Sequence, residues 1–291
     1  MRAVPVTNPK PWYFEILACP DCLGGLVEKE SVLICNNCTF SSSPLHQLDL
    51  RPQSPRRINL EVPRIFYPTR ALANVEISRP APSFNGPTGI RNAAELLSVM
   101  QDVMNEPGRV LDLGCGPRDQ AEPIGFLGHD YVGIDLSSAE ADILCDAHAL
   151  PFRSASLDFV FSYAVLSHLH NPFLAISEVK RVLKAGGTYC GTVGQGEPFN
   201  NTFFHHTVWG MLSLAHALDL TVLRLWSCWD TLSGLASMGR YPRVIRYAIG
   251  ALDRIHSALP ALAPRKMAWS RQDKLLDGLH RAASIGFVIR K

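Results

Sequence analysis

The chain lacks long hydrophobic runs. No stretch of 18 or more apolar residues, the length of a membrane-spanning helix, occurs in it. The most apolar segment, Gly210 to Trp226, is broken by His216, Asp219 and Arg224 and reads as a core helix followed by a strand. Charge of one sign is also lacking. Lys and Arg total 28 against 26 Asp and Glu, a formal net charge of +2. No general attraction to nucleic acid or to an anionic membrane follows from that balance. The first residues, Met1-Arg2-Ala3-Val4-Pro5, hold no continuous apolar core, and Lys10-Pro11 interrupts them early, so no signal peptide is expected. Internal repeats and low-complexity tracts are missing too. A cytoplasmic protein is the expectation. Its 291 residues, 47% hydrophobic, suit one main domain plus an accessory module.

The eight cysteines fall into two sets. Cys115, Cys145, Cys190 and Cys228 are scattered at apolar positions and read as buried thiols. Cys19, Cys22, Cys35 and Cys38 are regularly spaced as Cys-x2-Cys, twelve residues, Cys-x2-Cys. Each pair suits a tight knuckle, and Leu26-Val27 with Val32-Leu33-Ile34 suits a hairpin turning near Glu30-Ser31. Four thiolates at tetrahedral reach suit a structural Zn²⁺ with no open position. Two disulfides are the alternative, disfavoured in a reducing cytosol. The run Leu17-Ala18-Cys19-Pro20-x-Cys22-x-Gly24-Gly25-Leu26 resembles the small zinc-ribbon proteins that activate tRNA and translation-factor methyltransferases. That resemblance implies a stabilising role, or contact with a protein partner through the ribbon, and not catalysis.

Four regions are expected. Residues 1–15 form a Pro-rich extension lying over the surface, and 16–50 the zinc ribbon. Residues 51–89 form a basic, Pro-rich linker or lid. Residues 90–291 carry an α/β domain with a helical insertion over 231–275. Within that domain, apolar spacing predicts a helix over 90–104 and a buried strand at Arg109–Leu113. A glycine turn, a short helix to about Leu127 and a strand at Tyr131–Asp135 follow. Further strands are expected at Ile143–Cys145, Leu157–Ser162 and Thr188–Val193. A helix capped by Asn171-Pro172 should stop at Gly186-Gly187. Strands alternating with helices imply a mostly parallel sheet covered on both faces.

Val110-Leu111-Asp112-Leu113-Gly114-Cys115-Gly116-Pro117 joins strand to helix through glycines, so backbone can approach a ligand closely. Asp135 ends the next strand, where an acid holds ribose hydroxyls. Two carboxylates, Asp112 and Asp135, argue against a phosphate ligand and for a cationic one. S-adenosylmethionine (SAM) has no phosphate and carries a sulfonium and an amino group. These residues resemble class I SAM-dependent methyltransferases of the broad small-molecule type over about residues 90–230 and the last ten. Gly133 to Ser137 matches the ribose motif, Cys145 to Phe152 the adenine motif, Leu157 to Leu169 the fourth strand and its loop, and Val182 to Gly187 the lead into the fifth. Gly286 to Lys291 matches the last strand. The resemblance implies a Rossmann-like seven-stranded sheet. It implies that Asp112, Gly114 and Gly116 hold the methionine part, Asp135 and Leu136 the ribose, and Asp146 and Ala147 the adenine, with Ser162 and Tyr163 beneath the methionine. Arg118 replaces the usual third glycine, where it reaches the SAM carboxylate or caps the turn. A Rossmann dehydrogenase could share the turn and the acid but would lack the Asp-Ala-x-x-Leu-Pro-Phe segment.

Methyl transfer is an in-line displacement that requires alignment and exclusion of water, and a base only for weakly acidic acceptors or protonated amines. His168, His170, His205 and His206 are the candidates for that base. Phe203, Phe204, Trp209, Trp226 and Trp229 read first as core, and lining of an aromatic acceptor pocket by some of them is the alternative. The expected reaction is methylation of O or N on a small-molecule acceptor. An RNA methyltransferase guided by the ribbon is a competing reading, weakened by the near-neutral charge. A non-catalytic SAM-binding partner and a SAM-using enzyme that transfers no methyl are two more.

Overall fold

The computed structural model describes residues 10–43, 47–54, 72, 74–78, 93–196, 201–230, 242–245, 247–249, 251–252 and 271–291. Strands β1 (Leu26–Lys29) and β2 (Val32–Cys35) pair antiparallel as the hairpin between the cysteine pairs. Glu30 and Ser31 at its tip take positive φ of 49° and 68°. A two-residue turn of that hand matches the twist of the flanking strands.

The other strands are β3 (Leu48–Asp49), β4 (Glu76–Ser78), β5 (Arg109–Leu113), β6 (Asp130–Asp135), β7 (Ile143–Leu144), β8 (Leu157–Tyr163), β9 (Leu183–Gly194), β10 (Thr221–Asp230) and β11 (Ala282–Arg290). They form one sheet in the order β3-β7-β6-β5-β8-β9-β11-β10-β4. All neighbours are parallel except that β11 runs antiparallel to both β9 and β10. From β5 the chain proceeds outward through β6 and β7, then returns to β8 on the other side. The carboxyl ends of β5 and β8 thus flank a switch point, where open α/β sheets bind ligands.

The expected seven-stranded sheet has nine strands among the described residues. The two extra strands are short and lie at the edges. Leu48 and Asp49 pair with Ile143 and Leu144, and Glu76, Ile77 and Ser78 pair with Arg224, Leu225 and Trp226. A bare edge leaves backbone donors and acceptors unpaired, and the N-terminal third of the chain covers both. Sequence patterning missed these strands because two or three residues are too few to show a period.

Buried residues alternate between the two faces of the sheet, as the two-residue strand period requires. Val110, Phe159 and Phe161 pack with Leu96, Met100 and Ile124 of the helices Ala93–Val103 and Ala121–Phe126. Leu111 and Val160 belong to the opposite layer, with Ile176 and Val179 of the helix Pro172–Val182 and Met211 of the helix Val208–Ala217. The Asn171 side chain caps Pro172–Val182 by accepting from the Leu174 amide at 3.1 Å. That helix ends at Val182 and not at the glycine pair. Gly186 and Gly187 instead exchange backbone hydrogen bonds with Lys291 at 3.1 and 3.0 Å, so the end of β11 draws them into the sheet. Lys184 pairs with Asp158 at 2.8 Å.

The N-terminal extension also departs from expectation in its described part. Trp12–Ile16 is a single 3₁₀ turn with Tyr13 and Ile16 buried, and the Trp12 indole donates to the Tyr131 carbonyl at 3.2 Å. The segment expected to be a linker or lid is described only at 51–54, 72 and 74–78. Most of the expected helical insertion lies outside the described residues, up to the helix Arg271–His280.

Gly286 faces Trp226 across the β10–β11 pair. A Cβ there would sit 1.9 Å from the buried indole ring. Gly286→Ala is expected to cost at least about 1–3 kcal/mol of stability through overpacking. Urea unfolding of the variant checks this, and an unchanged midpoint would contradict it.

Candidate cofactor site and cysteine cluster

A cavity of about 520 Å³ opens at the switch point. Its walls come from four loops: Leu113 and Gly114 after β5, Ile134 to Leu136 after β6, Cys145 to His148 after β7, and Tyr163 to His170 after β8, with Phe203 above. The first of these is the glycine turn. Gly114 has φ of +72°, and a Cβ on it would meet Val165 at 2.5 Å. Gly116 has φ of +51° with open space around its missing Cβ. The backbone of the turn is pinned from the next strand. Asp135 accepts from the Gly116 amide at 3.2 Å and from the Ser137 and Ser138 amides at 2.9 and 3.0 Å. The Ser138 hydroxyl donates back to the Gly116 carbonyl.

Of the residues expected to bind SAM, Gly114, Asp135, Leu136, Asp146, Ala147 and Tyr163 line the cavity. Gly116 borders it through Asp135. Asp112 does not line it. This side chain is 2% exposed and accepts from the Tyr131 hydroxyl at 2.9 Å. Burial raises its pKa to about 7, against the lowering effect of that hydrogen bond. Ser162 is also buried, bonded to the Tyr189 hydroxyl at 2.9 Å beneath the strand ends. Arg118 turns away from the cavity. Its guanidinium pairs with Asp142 at 2.9 Å and lies over the Tyr131 ring, 5.5 Å from the centroid. The side chain therefore braces the turn from behind, on the side that faces the cysteine hairpin.

Among the candidate bases, His168 lines the cavity, whereas His205 and His206 do not. His205 is exposed on the loop after β9. His206 is buried, its amide donates to the Gly194 carbonyl at 2.8 Å, and burial lowers its pKa. His170, also a candidate base, lines the cavity too, and so does His148, for which no role was expected. His148 donates through Nδ1 to Asp146 at 2.6 Å, and its Nε2 accepts from the Asn171 amide at 3.2 Å. Both ring nitrogens are thus engaged, and the bonds fix the tautomer. The His170 ring lies 4.1 Å from that of His148 and 6.2 Å from Phe203. Phe203, expected in the core, is 67% exposed above the cavity. Its amide and that of Phe204 bond the Ser167 carbonyl at 2.9 and 3.3 Å, which ties the loops after β8 and β9 together. The adjacency of His148 to Asp146 was the one local signal that could have found it.

The cavity's described lining contains two carboxylates, Asp135 and Asp146, and no Lys or Arg. A phosphate needs cationic partners or a ring of amides. The Gly116 amide, which could have donated to a phosphate, is already bonded to Asp135. This donor set fits a nucleoside attached to a cation.

The cysteine module presents a second candidate site. The sulfurs of Cys19, Cys22, Cys35 and Cys38 all lie within 4.8 Å of one another. Cys19 and Cys38 approach to 3.6 Å, and Cys22 and Cys35 to 3.5 Å. The edge of a tetrahedron with metal–sulfur bonds of about 2.3 Å is roughly 3.8 Å, so the cluster is compatible with a thiolate-bound metal. The Gly24 and Asn37 amides donate to Cys22 and Cys35 at 3.4 and 3.3 Å. The other four cysteines are all buried, as expected.

Raising the pKa of Asp112 makes a testable statement about stability. The folded state keeps its proton up to about pH 7, while the unfolded chain loses it near 4. Stability therefore falls as pH rises between those values, by a total on the order of 4 kcal/mol. Asp112→Asn should be more stable than the wild type at pH 8 and should lose that advantage at pH 4. Denaturant titrations of both proteins at the two pH values check the sign. An advantage that does not depend on pH would refute the shift.

Comparison with known proteins matches residues 111–191 to a family described as Methyltransferase domain. The bifunctional biotin biosynthesis protein BioHC of Cellvibrio japonicus is 31% identical over 153 residues, 45% of this chain and 30% of its own length. A demethylmenaquinone methyltransferase of Renibacterium salmoninarum is 36% identical over 93 residues, 28% of this chain and 39% of its own. A ubiquinone biosynthesis O-methyltransferase of Roseobacter denitrificans is 29% identical over 103 residues, 30% of this chain and 42% of its own. The chain thus spans less than half the length of each of these relatives. The matched stretch runs from within β5 to within β9 and contains every loop of the cavity except the one that bears Phe203. Residues 111–191 are thus similar to the methyltransferase domain family over the stretch that builds most of the cavity.

Proposed function

We propose that the chain transfers the methyl group of SAM to an oxygen or nitrogen of a small-molecule acceptor. The observation that carries this reading is the charge of the cavity: two carboxylates and no described Lys or Arg. When bound, SAM supplies a methyl carbon already activated by its sulfonium. The work left to the protein is orientation and exclusion of water. Asp135 holds the ribose with the lone pairs its three amide bonds leave over. Asp146, fixed by His148, and the neighbouring Ala147 hold the adenine. Gly114 lets the backbone approach the methionine part, with Tyr163 facing it across the cavity.

The acceptor enters beside His168, His170 and Phe203, where the cavity meets solvent. His168 or His170 takes the acceptor proton when the acceptor is too weak an acid to lose it to water. Neither ring has a hydrogen-bond partner among the described residues. A small acceptor suits a cavity of about 520 Å³ that must also hold the donor. Among the described residues no helix is long and apolar enough to cross a membrane. A reducing cytoplasm suits the four free thiols of the cluster.

Incubation with methyl-labelled SAM and fractionated metabolites should transfer label to a small molecule, and Asp135→Ala should abolish it by at least about a hundredfold. Label transfer that survives the substitution would refute the site. For the cysteine cluster we propose a structural Zn²⁺ on Cys19, Cys22, Cys35 and Cys38. The purified protein should hold about one zinc per chain by elemental analysis. Cys35→Ser or chelation should remove the metal and lower the unfolding temperature, since metal binding and folding of such a module are coupled. Zinc content unchanged in Cys35→Ser would overturn the ligand set.

A further inference from the structure

The loop that follows Asp135 is also held by the N-terminal segment of the chain. Gln47 lies between the cysteine hairpin and β3. Its Nε2 donates to the Ser138 carbonyl at 2.7 Å and to the Ala141 carbonyl at 2.9 Å. Both acceptors are backbone carbonyls, so the amide can sit only with its nitrogen toward them. Ser138 is the residue whose hydroxyl returns to the Gly116 carbonyl and whose amide bonds Asp135. One side chain of the N-terminal module thus sits two hydrogen bonds from the glycine turn.

Contacts on either side support the same loops. β3 pairs with β7, and the Leu50 amide donates to the Leu144 carbonyl at 2.8 Å, immediately before Cys145 and Asp146. At the far end of the adenine loop, the Ala18 amide donates to the Pro151 carbonyl at 2.9 Å, and the Arg153 amide to the Ile16 carbonyl at 2.7 Å. Residues next to the first cysteine and residues just past the last one hold both loops that face the nucleoside. Gln47 is the member of this set whose side chain, and not its backbone, makes the bonds, so substitution can address it.

We infer that Gln47 is a positioning residue for SAM: by anchoring Ser138 and Ala141 it fixes the Gly116–Asp135 arrangement, and the cysteine module thereby sets the affinity of the donor site. This inference rests on the proposed SAM reading. Gln47 touches neither donor nor acceptor and acts through Ser138. Its loss should therefore raise the Kd and KM for SAM with little change in kcat.

The test uses the full chain with Gln47→Met and Gln47→Glu, and SAM titrated by calorimetry between pH 5 and 8. Each hydrogen bond lost is worth a modest factor, and the two together give an expected rise in Kd of about tenfold for Gln47→Met at pH 7.5. Gln47→Glu should be at least as weak there, because an ionised carboxylate faces two carbonyl oxygens. Its deficit relative to the wild type at the same pH should shrink as pH falls and the protonated acid donates again. The Met variant should show no such recovery. A general packing role would weaken both variants equally at every pH, and that outcome overturns the inference. So does a Kd within twofold of the wild type in both variants. A wild-type protein that fails to bind SAM overturns the proposed function and this inference together. Wild-type binding with indifferent variants overturns this inference alone.

Discussion

The donor site depends on how the Asp135 carboxylate shares out its lone pairs. Its two oxygens offer about four acceptor sites. Oδ1 accepts the Ser137 and Ser138 amides, and Oδ2 accepts the Gly116 amide. One oxygen is therefore saturated by its own loop, and the other keeps a single place for an incoming hydroxyl. The same three bonds weld the glycine turn after β5 to the loop after β6. The positive φ at Gly114 and Gly116 and the placing of Ser138 over Gly116 belong to the same junction. Removing the carboxylate would leave these amides without that partner, so a group that lines the cavity also shapes the turn.

The N-terminal third of the chain does more than add a cysteine cluster. It supplies both edges of the sheet, β3 beside β7 and β4 beside β10. It also packs Tyr13, Ile16, Leu17, Leu33, Phe40 and Leu50 into the same core layer as Leu150 and Phe152. A ribbon of this size buries little apolar surface of its own. Continuity with the domain core offsets that shortage through shared surface, and the proposed metal would add a local crosslink. The helix Pro172–Val182 braces the loop after β7 from the opposite side. Buried Glu178 accepts from the Leu150 amide at 2.9 Å, while Arg181 donates to the carbonyls of Leu150 and Phe152 at 2.8 and 2.6 Å. The loops after β6 and β7 are thus held from the N-terminal segment on one side, and the loop after β7 from the helix Pro172–Val182 on the other.

What was legible in the sequence was local. The run from β5 to β6 carries its own strand period, turn glycines and terminal acid, so its geometry could be read residue by residue. The hairpin between the cysteine pairs was legible for the same reason. Features decided by distant partners were not. Arg118 stands in the turn but is claimed by Asp142 and Tyr131, neither of which adjoins it in sequence. Gly186-Gly187 looks like a helix stop, yet Lys291 recruits it to the sheet. Edge strands β3 and β4 exist only because β7 and β10 offer unpaired backbone. His148 sits in a recognisable motif, but its role follows from Asn171, 23 residues away.

The histidines around the cavity divide by the same logic of engagement. In His148 both ring nitrogens are engaged, so it can orient Asp146 but has no lone pair left for an acceptor proton. His206 is buried, and burial holds it neutral, but it lies off the cavity. His168 and His170 remain, both exposed at the mouth. An imidazole in contact with water keeps its proton exchange with solvent and gains little of the enhancement that a dry, preorganised base enjoys. Under the proposed methyl transfer, such a site would hold its donor rigidly and treat the acceptor proton loosely. That division of labour would match a displacement whose barrier lies in alignment at carbon, and would favour acceptors acidic enough to shed their proton with little help.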